Sequence, residues 1–447
     1  MRLCFAPTSS LSLRFRSLWL LSCIATLPLQ PLFAEQFEPK PTDPAFAKFN
    51  ALKAPSPQGL YLQKNDQLAI IGDSITEQKR YSRIIETYLT VCTPELNIGV
   101  RQYGWSGETA AHFLTRLDND CLRFHPTIAT LCYGMNDFKY RPYDDENGNW
   151  YRENYTNLVT RLQNTGARVV VGSPGCVGKV ASWVKTASGT LEDHNLSLCA
   201  FRNIALGIAD SQKTRFADHF WTMFTQGTVA RQRYGEVYNI AGNDGVHPDW
   251  AGHLVMAYDY LHALGLSGEI GVFEVDLKTG RASASSGHTV EAYTNQTLSL
   301  TSNRYPFCAT GPLDKDNSMR SGMTLVPFLQ ELNRLKLVVH GATASQYEVT
   351  WGDQSRIYSA EQLANGVNLA ADFEINPFSE AFRRVDEAVA AKQAFETTQI
   401  KKVFHGAEGK ADMEGAVAKT EAERATLLSA IHDAVVPVKH TIRLTAK

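Results

Sequence analysis

Four short polar blocks in this sequence carry the side chains that could do chemistry. They are Gly72-Asp73-Ser74, "YGWSGET" with Gly107, "YGMNDF" with Asn136, and "NDGVHPDW" with Asp244 and His247. A serine hydroxyl becomes a strong nucleophile when a histidine takes its proton, and a carboxylate beside that histidine holds the ring in the required tautomer. The residue types therefore predict nucleophilic acyl transfer by Ser74, with His247 as general base and then acid and Asp244 as the orienting carboxylate.

Each of these residues also has a structural interpretation. Ser74 and Glu77 have the spacing of a capping box, in which each side chain bonds an unpaired backbone N–H at a helix start. Asn136 could form a turn with its own backbone, and Asp244 could be an ordinary turn aspartate. His247, which is followed by proline, could simply mark the entry to a helix. Taken singly, each block leaves both interpretations open.

Three neighbouring polar residues are expected to be structural. Asp73 is the nearest rival carboxylate, but its place on a strand-to-helix turn suits loop geometry better than orienting His247. Asp137 is expected to be a turn former. His253 falls on the last helix of this part of the chain and is expected to pack in the core or lie on the surface.

The elements that must position the four blocks alternate between strands and helices. Helix-like segments at 76–90, 108–118, 150–165, 192–210 and 248–264 are interleaved with the apolar runs "LAIIG", "NIGVRQY", "TIATLCYG", "RVVVGS" and "TRFADHF". This alternation predicts a parallel sheet with helices on both faces. Ligands bind outside the carboxyl ends of strands in such sheets. Three of the blocks directly follow predicted strands, and the fourth precedes the last helix.

In this order and at these positions, the four blocks resemble the SGNH (also called GDSL) hydrolase family. The resemblance covers about 200 residues and ends near residue 270. It implies a three-layer α/β/α sandwich with a parallel, flavodoxin-like sheet, and a serine ester hydrolase that forms an acyl-enzyme on Ser74. It also implies an oxyanion hole made of the backbone N–H of Ser74, the backbone N–H of Gly107 and the side-chain amide of Asn136. No GxSxG elbow is present, which disfavours the α/β-hydrolase fold.

The sequence pattern changes on both sides of the region that resembles the family. From about residue 269 it reads as strands and turns, and "YEVTWGDQSRIYSA" is typical of a β-hairpin. Two long helices and a last strand pattern follow. We predict a signal peptide at 1–34, an extended leader at 35–60, a hydrolase domain at 61–268, a β-rich accessory domain at 269–378, a helical hairpin at 379–434 and a final strand at 435–447.

The first 34 residues have the features of a secretory signal peptide. Arginines precede an apolar run, the first acidic residue is Glu35, and Ala34 is small enough for cleavage. Prolines interrupt the apolar run, so no stable membrane span is expected. Lipid attachment at Cys23 is an alternative. The sequence therefore predicts export to the periplasm or the outside of the cell.

Composition narrows the classes of partner and cofactor. Hydrophobic residues make up 44% and charged residues 20%, as in globular proteins, and the formal net charge of −2 implies no nucleic-acid partner. Metal-ligand spacings such as CxxC and HExxH are absent from the sequence, so neither a metal nor a cofactor is expected. Cys132 lies in an apolar run and is expected to be a free thiol, whereas Cys176 and Cys199 flank one loop-rich segment and could pair.

Aromatic residues near the blocks suggest the substrate. Trp105, Tyr140, Tyr143 and Trp150 are candidates for binding a sugar ring, although packing against the helix that begins near Trp150 is an equal alternative. We expect an esterase that removes small O-acyl groups such as acetate from a small-molecule or polysaccharide ester. Alternatives are a lipid acylhydrolase or thioesterase of the same family, which needs a long apolar groove, and a non-catalytic extracellular binding protein. The oligomeric state does not follow from the sequence.

Overall fold

A five-stranded parallel sheet holds the four blocks. The computed structural model describes residues 36–447. Its first sheet has the order β2-β1-β3-β4-β5 with every pair parallel. The strands are β1 (Gln67–Gly72), β2 (Gly99–Gln102), β3 (Ile128–Cys132), β4 (Arg168–Gly172) and β5 (Arg215–Ala217). Nearly every residue of β1, β3 and β4 is buried, as expected of strands covered on both faces.

Helices cover both faces of this sheet. They are α1 (Ser74–Glu77), α2 (Tyr81–Val91), α3 (Ala110–Asp120), α4 (Asp145–Gln163), α5 (Leu191–Ser211), α6 (His219–Tyr234) and α7 (Trp250–Ala263). Helices α2, α6 and α7 pack together on one side, and α3, α4 and α5 pack in succession on the other. The predicted three-layer α/β/α sandwich is therefore confirmed.

Two predicted helix boundaries differ from the observed ones for local reasons. The segment at 76–90 is split into α1 and α2 because Lys79, between them, has a φ of +56°, which an α-helix does not accommodate. Helix α4 begins five residues before the predicted start, because the side chain of Asp144 accepts a hydrogen bond from the Asn147 N–H and caps the helix there. Helix α6 was not predicted at all.

Two further sheets follow in the C-terminal region. Their strands are β6 (Glu269–Asp276), β7 (Arg281–Ala284), β8 (His288–Thr294), β9 (Thr297–Ser302), β10 (Arg334–His340), β11 (Gln346–Trp351), β12 (Gln354–Ser359), β13 (Val367–Asn368) and β14 (Val438–Ala446). One sheet has the order β13-β10-β6-β7, and the other has the order β12-β11-β14-β9-β8. The predicted hairpin is β11–β12, and the final strand pattern is β14, which lies between β11 and β9. The β-rich C-terminal region is thus also confirmed.

The C-terminal region also carries the two predicted long helices. Its helices are α8 (Met319–Met323), α9 (Phe328–Glu331), α10 (Ala360–Asn365), α11 (Leu369–Asp372), α12 (Ser379–Thr398), α13 (Ala407–Ala411) and α14 (Met413–Ala434). A π-helical stretch, Gln399–Phe404, continues α12. Short 3₁₀ turns lie at Pro44–Phe46, Pro94–Leu96 and Leu122–Phe124.

The helix pair α12 and α14 covers the open edge of the parallel sheet. β2 is the edge strand, so the backbone groups on its outer side need partners. The carbonyl of Val100 accepts from Lys392 Nζ at 2.6 Å and from Arg424 Nη2 at 2.9 Å, and Glu396 accepts from the Gln102 N–H at 3.2 Å. Lys392 and Glu396 are fully buried and pair with each other. These charged side chains therefore provide hydrogen-bond partners for the backbone of the edge strand, in place of a further strand.

All six cysteines in residues 36–447 are buried free thiols, so Cys132 is free as expected and Cys176 and Cys199 do not pair. The predicted signal peptide and Cys23 lie outside the described residues. Among the helices of the described part, none is long and apolar enough to cross a membrane.

Candidate active site

Ser74 is the first residue of α1, directly after β1. The cap of this helix is Asp73, whose carboxylate accepts a hydrogen bond from the Ile75 N–H at 2.9 Å. The Glu77 carboxylate turns away from the helix start and accepts from the backbone N–H and the hydroxyl of Ser106. The capping-box interpretation of Ser74 and Glu77 is therefore wrong, and the Ser74 hydroxyl is left available for another partner.

That partner is His247. Its Nε2 lies 2.8 Å from Ser74 Oγ, and its Nδ1 lies 2.7 Å from Asp244 Oδ2. The other carboxylate oxygen of Asp244 accepts from the N–H groups of Val246 and His247. Partial burial raises the pKa of Asp244, but these hydrogen bonds outweigh it and hold the pKa below its usual value. An ionised Asp244 keeps the proton on Nδ1 and leaves Nε2 free to accept the serine proton.

The loop between α6 and α7 can hold this pair only because it turns tightly. Gly242 has a φ of +81°, and a Cβ there would lie 1.8 Å from the carbonyl oxygen of His247. Asp249 caps α7 through the Trp250 N–H and forms an ion pair with Arg80 at 2.9 Å. Arg80 lies just before α2, so this ion pair ties the histidine loop to the segment that follows Ser74.

Two free backbone N–H groups lie at this edge of the sheet. Within residues 36–447, neither the Ser74 N–H nor the Gly107 N–H has a hydrogen-bond partner. Gly107 is exposed, has a φ of +78°, and a Cβ built on it would meet no atom within 4 Å. The glycine therefore supplies both the left-handed backbone and an open approach to its N–H.

The side chain of Asn136 lies beside the same loop. Its Nδ2 is 2.9 Å from the carbonyl oxygen of Glu108 and 3.4 Å from Asp73 Oδ2. The amide thus bridges the loop after β2 and the turn after β1, and is half-buried between them. Its position on the loop after β3 is the one expected of a third oxyanion donor, a role that stays a prediction.

Buried carboxyls form the floor beneath these groups. Burial is the main cause that raises the pKa of Asp73 to about 8; the nearby carboxyls of Asp137 and Glu108 add to it, and the hydrogen bond from the Ile75 N–H opposes it. Burial likewise raises the pKa of Asp137 to about 7, although the Ala110 and Gly134 N–H groups that it accepts from lower it. Asp73 therefore carries less negative charge at neutral pH than an exposed aspartate would, so it repels the developing oxyanion less.

The four aromatic candidates lie in different environments. Trp105 packs edge-on against His405, at 5.0 Å between ring centroids. Tyr140 is buried, with its hydroxyl 3.5 Å from Asn136 Oδ1. Tyr143 is exposed and meets Phe201 edge-on, whereas Trp150 lies under the ammonium of Lys139. Of these four side chains, that of Tyr140 reaches the side chain of a proposed oxyanion donor, Asn136.

Sequence reasoning missed Trp183. Its ring stacks on the His247 ring with 5.9 Å between centroids, and 47% of the residue is exposed. It lies in the loop between β4 and α5, where no periodic pattern points to a strand or a helix. Only the proximity of this loop to the histidine loop shows that Trp183 borders the site.

His253 has the structural surroundings expected of it, and two tyrosines of α4 lie in the core. His253 is fully buried, where its Nδ1 accepts from the Tyr81 N–H and its Nε2 donates to Gln78 Oε1. Tyr151 and Tyr155 are buried in the core, and the Tyr155 hydroxyl donates to backbone carbonyls of β3 and β4. No cluster of three potential metal ligands occurs in residues 36–447.

Comparisons with known proteins identify the family that part of this chain resembles and a solved structure of similar fold. Residues 70–255 match the model of the GDSL-like lipase/acylhydrolase family. No curated protein matches the chain. Among solved structures, a gut microbial diltiazem-metabolizing enzyme is similar with a TM-score of 0.69 and 22% identity, over 86% of this chain and 98% of that one. This likeness is one of fold, and it extends beyond the residues that match the family.

A second solved structure is similar over a shorter stretch. A catalytic mutant of Axe2, an acetylxylan esterase from Geobacillus stearothermophilus, is 21% identical with a TM-score of 0.38, over 46% of this chain and 97% of that one.

Proposed function

Since residues 70–255 form a GDSL-like lipase/acylhydrolase domain, and the chain is thereby an ester hydrolase, we propose that it forms an acyl-enzyme on Ser74 and removes small O-acyl groups, such as acetate, from carbohydrate. The observation that carries the proposal is the hydrogen-bonded series Ser74, His247 and Asp244, beside two unpartnered backbone N–H groups. We further propose that the chain is exported, which rests on the sequence of residues 1–34 alone.

The first half of the reaction forms the acyl-enzyme. Ser74 Oγ attacks the ester carbonyl carbon while His247 Nε2 takes the hydroxyl proton. The negative charge moves to the carbonyl oxygen, where the N–H groups of Ser74 and Gly107 and the Asn136 amide stabilise it. The intermediate then expels the alcohol, which takes its proton from His247 Nε2. Asp244 stabilises the imidazolium throughout without taking its proton.

The second half releases the acid. A water molecule gives a proton to His247 Nε2 and attacks the acyl carbon, and the oxyanion forms in the same donor set. Collapse breaks the bond to Ser74 Oγ, which regains the proton from His247. Free enzyme and a carboxylic acid result, so the proposed cycle needs no cofactor.

Two features of the site support a small acyl group and a sugar alcohol. Tyr140 is buried next to Asn136, so its ring occupies space beside an oxyanion donor that a long acyl chain would need. Trp183 presents a partly exposed ring that stacks on the ring of His247, the residue from which the alcohol takes its proton. An exposed indole face is a surface on which sugar rings stack.

An ester series tests the proposal. Purified protein is assayed with p-nitrophenyl esters from acetate to palmitate and with acetylated xylan, and Ser74→Ala serves as the inactive control. We expect kcat/KM to fall at least about tenfold between acetate and octanoate, since each added methylene must displace packed side chains. Mass spectrometry of the quenched reaction should find the acyl group on the peptide that contains Ser74.

Three results would contradict the proposal. A preference for long chains indicates a lipid acylhydrolase or thioesterase instead. Absence of turnover on every ester favours a binding protein. Hydrolysis that survives Ser74→Ala excludes the mechanism.

A further inference from the structure

The loop that carries Gly107 is hydrogen-bonded to the end of β1 and to α1, the helix that follows it. The Trp105 N–H donates to the carbonyl of Gly72, at the end of β1, at 3.1 Å. The backbone N–H and the hydroxyl of Ser106 both donate to one oxygen of the Glu77 carboxylate. Glu77 is the last residue of α1, the helix that Ser74 begins. Glu77 therefore joins the turn that carries Ser74 to the loop that carries Gly107.

A residue more than 300 positions away completes this connection. Lys401 Nζ lies 2.7 Å from the other oxygen of Glu77, and 5.0 Å from the centre of the Trp105 ring. His405 packs edge-on against the same ring and bonds Asp120 at 2.7 Å. Lys401 belongs to the π-helical stretch, and such stretches commonly occur at functional sites.

We propose that Lys401 is a positioning residue for the oxyanion hole, which it serves by holding Glu77 and Trp105 so that the Gly107 N–H faces the reacting carbonyl. This inference rests on the proposed esterase function. It makes the C-terminal region, which lies outside the residues that match the family, a contributor to the chemistry of the hydrolase domain.

Charge explains why a lysine is suited to this position. Glu77 is half-buried, and burial raises its pKa, but the hydrogen bonds from Lys401 and Ser106 lower the pKa below its usual value. A fully ionised Glu77 accepts more strongly from Ser106. Lys79 also faces Glu77, yet its Nζ donates to the backbone carbonyl of that residue rather than to its carboxylate.

The position of the Gly107 N–H matters because oxyanion donors act at short range. Loss of one donor typically costs about 10²–10³ in kcat, so a donor that is displaced but present costs less. Gly107 is exposed and has no side chain to hold it, so its place depends on Trp105 and Ser106. Loosening those anchors should weaken binding of the transition state and leave binding of the ester unchanged.

The test compares Lys401→Met with Lys402→Met, which changes an exposed lysine one residue away. With p-nitrophenyl acetate, Lys401→Met should lower kcat about tenfold and change KM less than about twofold, whereas Lys402→Met should match the wild type. Lys401→Arg, which keeps the charge, should recover most of the rate. The affinity for an arylboronic acid, which forms a tetrahedral anion on Ser74, should fall by the same factor as kcat in Lys401→Met.

Ser106→Ala provides a second approach from the other side of Glu77. It should lower kcat by a similar factor, and the double variant with Lys401→Met should lose less than the product of the two losses, because both act through one carboxylate. A Lys401→Met or Ser106→Ala enzyme with the wild-type kcat overturns the inference. So does a raised KM at unchanged kcat, which would make Lys401 a substrate-binding residue. Failure of the proposed function looks different, since Ser74→Ala would then keep the activity.

Discussion

Serine–histidine contacts of nearly equal length occur in both regions of the described chain. Ser74 Oγ lies 2.8 Å from His247 Nε2 at the end of the parallel sheet. In the C-terminal region, Ser302 Oγ lies 2.9 Å from His440 Nε2 and 2.8 Å from Nδ1 of a second histidine, His288. Only the first pair is proposed to do chemistry, although the distances alone do not separate them.

The difference lies at the far nitrogen of each histidine. His247 Nδ1 meets the Asp244 carboxylate, an acceptor, so the proton stays on Nδ1 and Nε2 can receive one. His440 Nδ1 accepts from the indole N–H of Trp351 at 3.1 Å, so His440 must carry its proton on Nε2 and donate it to Ser302. His440 therefore has no free lone pair for the Ser302 proton.

Solvent exposure and unpaired backbone N–H groups also distinguish Ser74 from Ser302. Ser302 is fully buried, and His288 completes the chain by donating to the carbonyl of Ile270. Around Ser74 two N–H groups lack partners within the described chain, whereas every polar atom of the C-terminal chain of hydrogen bonds has one. Unpaired N–H donors thus lie where an oxyanion is expected. The hydrogen-bonded series around Ser302, by contrast, leaves no polar atom unpaired, as a stable interior requires.

The largest expected effect comes from exchanging the two histidines for glutamine. His247→Gln should lower kcat on p-nitrophenyl acetate by at least about 10⁴-fold, because no base remains for Ser74. His440→Gln should leave kcat within about twofold in protein that circular dichroism shows to be folded. Loss of activity in folded His440→Gln would mean that the two pairs are not functionally distinct.

Asn136→Ala tests whether the donor set is what distinguishes Ser74. We expect kcat to fall by about 10²–10³ with little change in KM, because the amide acts on the developing oxyanion. Steady-state kinetics on short esters measures this. An unchanged kcat would remove Asn136 from the proposed oxyanion hole and leave the two backbone N–H groups to form it.

Exchanging the two serines for alanine should separate activity from stability. Ser302→Ala leaves the His440 N–H and the His288 nitrogen without a partner in the interior, which should lower the free energy of unfolding by about 1–3 kcal/mol with kcat unchanged. Ser74→Ala removes the activity, but should change the free energy of unfolding by less than about 0.5 kcal/mol, because Ser74 lies partly open to solvent. Urea unfolding of both variants measures the contrast.

The smallest expected effect concerns how the free energy of unfolding depends on pH in the wild type and in His440→Gln. Burial lowers the pKa of His440 from 6.5 to about 3. Below pH 6.5 the unfolded chain therefore binds a proton that the native state excludes, and stability falls as the pH falls toward 3, by up to about 1.4 kcal/mol per pH unit for this histidine.

In His440→Gln, no histidine is present at this position to take up a proton on unfolding. The fall in unfolding free energy per pH unit should therefore be smaller than in the wild type, by up to about 1.4 kcal/mol. Unfolding free energies measured between pH 5 and pH 7 give the comparison. Equal slopes in both proteins would show that His440 takes up its proton equally well in the native state.

Much of the site could be predicted because its signals are local. The apolar runs of β1 and β3 predict buried strands, and the polar residues that follow them must then lie at one edge of the sheet. Asp244 and His247 are three residues apart on one loop, so their contact depends little on the rest of the chain. The same holds for the hairpin β11–β12, whose turn contains a glycine.

Contacts between segments that are distant in the chain could not be predicted from local sequence patterns. Trp183 borders His247 from a loop without periodicity, and Lys401 reaches Glu77 from another part of the chain. The parallel pairing of β6 with β10, across intervening strands, is likewise invisible in either strand's own pattern. A capping box was a fair interpretation of Ser74 and Glu77, yet Ser106 and Lys401 take the Glu77 carboxylate instead.

By itself, the sequence determined most of the strands and helices that build the parallel sheet, which polar residues follow the strands, and which residue types could carry out acyl transfer. The tertiary structure decided which nitrogen of each histidine holds the proton, which N–H groups stay unpaired, and which C-terminal residues support the Gly107 loop. The physical reason is the range of the interactions. Backbone propensity and hydrophobic periodicity act within a few residues, whereas a proton's place and a donor's freedom depend on every group that packing brings within hydrogen-bond distance.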